Sequence, residues 1–480
     1  MAVVDTASGA AAATSTRGHP RGRATRRRLI GSAALSGGLL ALAGCGSGMD
    51  RGGSAQGTPR GAGGALSGRV VWQARTGTTY AELARWAADE LTKKHPNVTV
   101  EITQENTGVF DKTFTTLAAG AGPDVIHGWG RIMAQYGGRG VLANLADLVK
   151  SLPPADLQDF VKQQWDGLVI PTTNFRYGVP AYVNFWVLYY NKTLFQRRGQ
   201  PEPTDAWDHS DYATALRRMT FEEGDRRVWG GFARVDIPDR QYHVQAYGGH
   251  YVDPRDLTRT QLDQNPAQQA LQWQYDRLWT DKSWAPIDEK GRTWQTPDQA
   301  SGFAQGALAT FEDGMDKFGT LTSRMPQGSE WNIAPMPKGP NRRATFVTTD
   351  SWGLWKDSKS RDAAWAFMQL LIGKEFYEQQ ARIEGLMPSR RSVFDAWQAH
   401  WKPKLQASSP NFNFKAIQDG LFSSPYALVD EVYLCQNEAE RVQNDAMNAI
   451  LVRGEKTPSY LRQVAGQISE AAGSCRARFQ

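Results

Sequence analysis

Residues 69–100, RVVWQARTGTTYAELARWAADELTKKHPNVTV, set out a strand, a helix and a second strand in immediate succession. Arg69–Trp72 is short, apolar and rich in valine, the composition of a strand. Tyr80, Leu83, Ala84, Ala87 and Leu91 then fall at i, i+3, i+4, i+7 and i+11, which places them on one helical face. His95-Pro96-Asn97 ends that helix, and Val98, Val100 and Ile102 alternate with polar residues as a strand does. The pattern repeats downstream. Phe110–Ala119 is apolar at 110, 114, 117 and 118, a second helix, and the turn Gly120-Ala-Gly-Pro123 leads into a third strand, Asp124-Val-Ile126. Strands alternating with helices make right-handed crossovers, so they pair in parallel and are covered on both faces. The expected class is α/β.

Upstream of this unit lies an export signal. Leu29–Ala43 is an apolar run of 15 residues, short of the roughly 20 that a spanning helix needs. It matches the apolar core of a signal peptide behind a positive segment. Thr25-Arg26-Arg27-Arg28-Leu29-Ile30 resembles a twin-arginine signal, and Leu42-Ala43-Gly44-Cys45 resembles a lipobox, in which Cys45 receives lipid and becomes the new N-terminus. Residues 46–68 are Gly, Ser and Ala-rich and read as a flexible tether.

Losing residues 1–44 changes the charge balance. Taking their six arginines and one aspartate from the chain's 55 basic and 49 acidic residues leaves 49 and 48. The high pI of the whole chain therefore belongs to the signal, and a nucleic-acid partner is not expected. About 410 residues remain, a length suited to two domains. Two cysteines follow Cys45. Cys435 and Cys475 could be bonded outside the cytoplasm or stay as buried thiols, and no Cys/His spacing suggests a metal.

Several motifs in order carry a family resemblance. Ala119-Gly-Ala-Gly-Pro-Asp-Val-Ile126 and Gly140-Val-Leu-Ala-Asn-Leu145 resemble the first domain of extracellular solute-binding proteins of bacterial ABC importers, in the sugar-binding, maltose-binding-like branch. Tyr177–Tyr182 with Val187–Phe195, Pro203-Thr204 with Trp207, Phe303–Gly306, Ala334–Gly339, Ser351–Leu354, Ala363–Phe367 and Leu386–Arg390 follow in family order. The resemblance implies a two-lobed periplasmic-binding-protein-like fold, each lobe a mainly parallel sheet flanked by helices, joined by a multi-segment hinge. It implies lobes of 69–182 with 352–405 and of 183–351 with 406–480, and crossings near Pro180–Asn184, Thr345–Ser351 and 400–420. It also implies a monomeric, lipid-anchored receptor on the outer face of the membrane, without cofactor. Such a receptor captures a mono- or oligosaccharide by hinge closure and delivers it to permease subunits. A receptor that docks a membrane sensor is the alternative.

A sugar site needs carboxylates, amides or arginine for hydroxyls and flat rings for C–H faces. In an open α/β sheet such groups should collect beyond the carboxyl ends of strands. Arg75 follows the first strand and Trp129 the third. Tyr182, Asn184 and Trp186 mark the first crossing, and Asp350 and Trp352 the second, with Trp352 expected in a loop. Glu312 and Asp313 should follow a strand at Ala307–Phe311, and Asp236, Tyr242 and Trp294 complete the candidates. Trp86, Trp273, Trp279 and Trp365 lie at helical spacing and are expected in cores. No nucleophile elbow, HExxH or phosphate-binding loop is present, and the acid pairs Glu222-Glu223 and Asp288-Glu289 sit in polar stretches, so catalysis is not expected.

Overall fold

The computed structural model describes residues 65–75, 78–104, 110–170, 172–233, 241–287, 298–423 and 425–475. The signal segment, Cys45, Asp236 and Trp294 lie outside the described residues.

The opening βαβαβ unit forms where the periodicity places it. Strand β1 (Ser67–Ala74) leads to α1 (Thr78–Lys94), β2 (Asn97–Gln104), α2 (Phe110–Ala118), β3 (Val125–Gly128) and α3 (Gly130–Gly138). Strand β1 lies between β2 and β3 and is parallel to both, with Trp72 opposite Ile102 on one side and Val125 on the other. Tyr80, Leu83, Ala84, Ala87 and Leu91 are all buried, so the apolar stripe of α1 is the face that covers the sheet. Asp124, in the turn before β3, accepts hydrogen bonds from Val71 N (2.8 Å) and Ser358 Oγ (2.6 Å) and fixes the strand ends.

The chain then crosses between two sheets. β4 (Val179–Pro180) belongs to the first sheet, and β5 (Trp186–Tyr190), β6 (Thr310–Gly314) and β7 (Asn332–Ala334) form the second. β8 (Ser351–Leu354) returns to the first, between β3 and β4. Each sheet contains a reversed strand. β8 is antiparallel to β3 and β4, and β5 is antiparallel to β6 and β7. These are the strands that enter from the other lobe. A strand arriving from the cleft side starts at the carboxyl end of its neighbours and must run against them.

Helices α4 (Arg361–Leu371) and α5 (Lys374–Glu384) pack with α1 on the first sheet. Helix α6 (Phe394–Leu405) follows. Its Trp397 and Trp401 rings lie 6.1 and 5.6 Å from Phe318, which follows β6, whereas Val393 packs with the first core. Both indole N–H groups also donate to Gly385 O at the end of α5, so α6 lies between that end and the rings of the second lobe.

Helices α7 (Gln436–Met447) and α8 (Tyr460–Gly473) close the second lobe, and a disulfide joins Cys435 to Cys475 across them. Among the described residues no helix is long and apolar enough to cross a membrane.

Candidate ligand-binding cleft

The ends of the two sheets that face the crossings carry the candidate site. In the first sheet β1 ends at Ala74 and β3 at Gly128, and Ser351 at the start of β8 is opposite Gly128. Arg75, Trp129 and Asp350 are the next residues beyond those ends, and Tyr182 follows β4 closely. The close approach of α3 to the hinge requires glycine: a Cβ on Gly130 would lie 1.5 Å from Thr349 Oγ1.

Arg75, Tyr182 and Asp350 form a contiguous cluster with His127. The Arg75 guanidinium lies over the Tyr182 ring, 4.6 Å from its centroid, and 5.7 Å from that of Tyr80. A cation held this way is stabilised by about 0.5–2 kcal/mol. The Tyr182 hydroxyl donates to Asp350 Oδ1 at 2.9 Å. Burial pushes the Asp350 carboxyl up to about 6, against the opposing influence of Thr348, Arg75 and Tyr182. His127, stacked on Tyr182, has Nε2 3.9 Å from the same oxygen and makes no hydrogen bond there. Burial, aided by the Arg75 charge, holds this imidazole neutral well below its usual range. Trp129 is 45 % exposed, the large hydrophobic side chain left open among the described residues.

Trp352 backs this cluster from the core, its ring 5.1 Å from that of His127. It lies inside β8, not in a loop, and is fully buried with its ring 5.5 Å from Trp72. Alternation along β8 turns Trp352 and Leu354 into the core, so the expected stacking role is corrected. Trp186 is the first residue of β5 and packs edge-on against Phe346 at 4.7 Å, again in the core.

At the second sheet the acids are enclosed. Glu312 and Asp313 lie within β6, not after it as expected from Ala307–Phe311, and both are buried. Glu312 Oε2 accepts from the Tyr242 hydroxyl at 2.5 Å and from His243 Nε2 at 2.7 Å, the tautomer that an acceptor-only carboxylate requires. Asp313 accepts from Gln299 Nε2 and, at 2.7 Å, from Gly314 N. Asn184 donates to Asp316 Oδ1 at 2.9 Å. Tyr242 thus meets Glu312 as a structural partner.

His127, His243 and Glu384 were not singled out from sequence. For His243 the signal was its place beside Tyr242. For Glu384 it was an acid on the last turn of a helix, where the dipole disfavours it. Among the described residues no cluster of His, Cys, Asp and Glu could hold a metal.

Two α/β lobes with polar and aromatic groups at their facing sheet ends define a receptor architecture. The chain belongs to the bacterial extracellular solute-binding protein family, whose model matches residues 74–378. It is 24% identical over 381 residues to the diacetylchitobiose binding protein DasA of Streptomyces coelicolor, covering 77% of this chain and 83% of that one. To a binding protein of Brucella abortus it is 22% identical over 214 residues, 44% of this chain, and it spans about half (50%) of that protein's length. The fold superposes on an ABC substrate-binding protein from Listeria monocytogenes in complex with cycloalternan, with a TM-score of 0.68 at 20% identity, covering 85% of this chain and 99% of that one.

Proposed function

We propose that this chain is the exported substrate-binding lipoprotein of an ABC importer and captures a mono- or oligosaccharide between its lobes. The observation that carries the reading is the cluster at the first sheet's end. The Arg75 guanidinium lies over the ring of Tyr182, whose hydroxyl bonds the Asp350 carboxylate, with the exposed Trp129 ring on the same sheet edge. Together they offer donors, an acceptor and a ring face, the set that sugar hydroxyls and C–H faces need. Binders of diacetylchitobiose and cycloalternan among the similar proteins support the same class. Closure shifts an open–closed equilibrium because ligand touches both lobes only in the closed form. The closed form then docks on permease subunits, and Cys45 holds the receptor at the membrane by lipid.

The test is thermal unfolding of the full chain across a panel of neutral sugars. A ligand at 100 times its Kd should stabilise the protein by about 2.7 kcal/mol. If no carbohydrate raises the midpoint while a peptide or amino acid does, the assignment fails. The anchor is tested separately by the mass of the mature N-terminus, which should begin at a lipidated Cys45.

A further inference from the structure

Glu384 is held where a carboxylate is poorly accommodated. It is the last residue of α5, and Gly385 in the left-handed conformation (φ 68°) ends the helix behind it. Negative charge at a helix C-terminus opposes the macrodipole. Its side chain is only 8% exposed, and burial raises its carboxyl above the usual range despite Arg75 and Thr79. Oε1 accepts from Thr79 Oγ1 at 3.1 Å, while Oε2 has no hydrogen-bond partner. A fold seeking stability alone would place a neutral residue here. Such local misfits concentrate at functional sites.

The one group that benefits is Arg75. Oε2 stands 3.9 Å from Arg75 Nη1, close enough for attraction and too far for a hydrogen bond. Among the described residues Arg75 donates no hydrogen bond. It is held by the rings of Tyr80 and Tyr182 and by charge, with 29% of its side chain exposed. Asp350 supplies a second carboxylate to the same cluster through Tyr182. Two carboxylates around one guanidinium leave the cluster short of positive charge. Its N–H groups are still available to hydroxyl oxygens, but an incoming anion meets repulsion from both acids.

We propose that Glu384 is a specificity-determining residue of this cleft: it holds Arg75 by charge, keeps its N–H groups for a neutral polyhydroxyl ligand, and excludes ligands that bring an anionic group to that end. The proposal rests on the carbohydrate reading above and narrows it to uncharged saccharides. Glu384 acts through Arg75 and is a positioning residue.

The experiment uses the full chain and two probes of one shape, D-glucuronate and D-glucose, read by thermal unfolding. Glucuronate should leave the wild-type midpoint unchanged. In Glu384→Gln it should raise the midpoint by about 2 °C or more, and Arg75→Met added to Glu384→Gln should remove that gain. Glu384→Asp, which keeps the charge, should still exclude glucuronate. Without probe, Glu384→Gln should melt at or above the wild-type temperature. Wild-type stabilisation by glucuronate, no gain in Glu384→Gln, or a Glu384→Gln chain that melts well below wild type or does not fold each overturns the proposal. A neutral-sugar panel that stabilises nothing defeats the carbohydrate reading and this proposal with it, whereas a sugar that stabilises the wild type beside no glucuronate gain in Glu384→Gln defeats the proposal alone.

Discussion

The two ends of the cleft treat their charges differently. At the second sheet Glu312 is sealed from solvent and bonded through Oε2 to Tyr242 and His243, with Oε1 unbonded, and Asp313 is bonded to Gln299 and the Gly314 amide. At the first sheet Arg75 donates no hydrogen bond among the described residues, Glu384 leaves an oxygen unbonded, and Asp350 is a buried acid with its carboxyl pushed up. The difference is one of access: the Arg75 side chain is 29% exposed and Trp129 45 % exposed, whereas Glu312 and Asp313 are sealed, so the first lobe offers the groups that solvent reaches. The enclosed acids of the second are part of its framework.

That contrast can be broken in several places. The largest effect should come from Trp352→Ala, which empties a fully buried site against Trp72 and His127. A loss of about 3–5 kcal/mol is expected in denaturant unfolding. A stable variant with weakened ligand binding would return Trp352 to the cleft. Glu312→Gln should come next, at about 2–3 kcal/mol, because it disturbs charge-assisted bonds to Tyr242 and His243 in a buried site. Unchanged stability there would remove the distinction between the two ends.

Asp350→Asn probes the first lobe through pH. Burial raises its folded carboxyl to about 6, above the unfolded value of about 3.9. The folded state therefore holds the proton more tightly, and this group's contribution to stability declines as pH rises between those values. Above pH 6 the full penalty applies, at most about 3 kcal/mol. Asp350→Asn should flatten that part of the stability–pH curve and be relatively more stable at pH 8 than at pH 4. An unchanged curve would mean that Asp350 is solvated like an ordinary surface acid. The smallest stability effect belongs to Trp129→Ala, within about 0.5 kcal/mol, since the ring is 45 % exposed. Its carbohydrate affinity should nevertheless fall about tenfold, as loss of a stacking face predicts. Equal loss of stability would make Trp129 a packing residue.

Legibility in the sequence followed the range of the interactions. The opening βαβαβ unit was readable because α1 carries its core stripe within one helix and β2 its alternation within one strand. Trp129 was readable as an open ring because glycines flank it on both sides. Trp352 was misplaced, although Ser351-Trp-Gly-Leu354 already alternates toward one face as a buried strand does. The extent of β6 was missed by a few residues, which placed Glu312 and Asp313 outside a strand that contains them. The surroundings of α6 were not legible, because nothing local to Phe394–Leu405 says which rings its tryptophans will meet.

By itself the sequence determined the α/β class, the alternation that builds the first sheet, the motifs of the family and which residues follow strand ends. These depend on periodicity and chain order, which local sterics and hydrophobic spacing impose. Only the tertiary structure decided which of those residues share a site. Glu384 is 309 residues from Arg75, and Asp350 is 168 from Tyr182. Their proximity comes from strands that return to a sheet from the opposite lobe. Burial, which turns an ordinary glutamate or aspartate into one with a raised carboxyl, exists only once those strands have met.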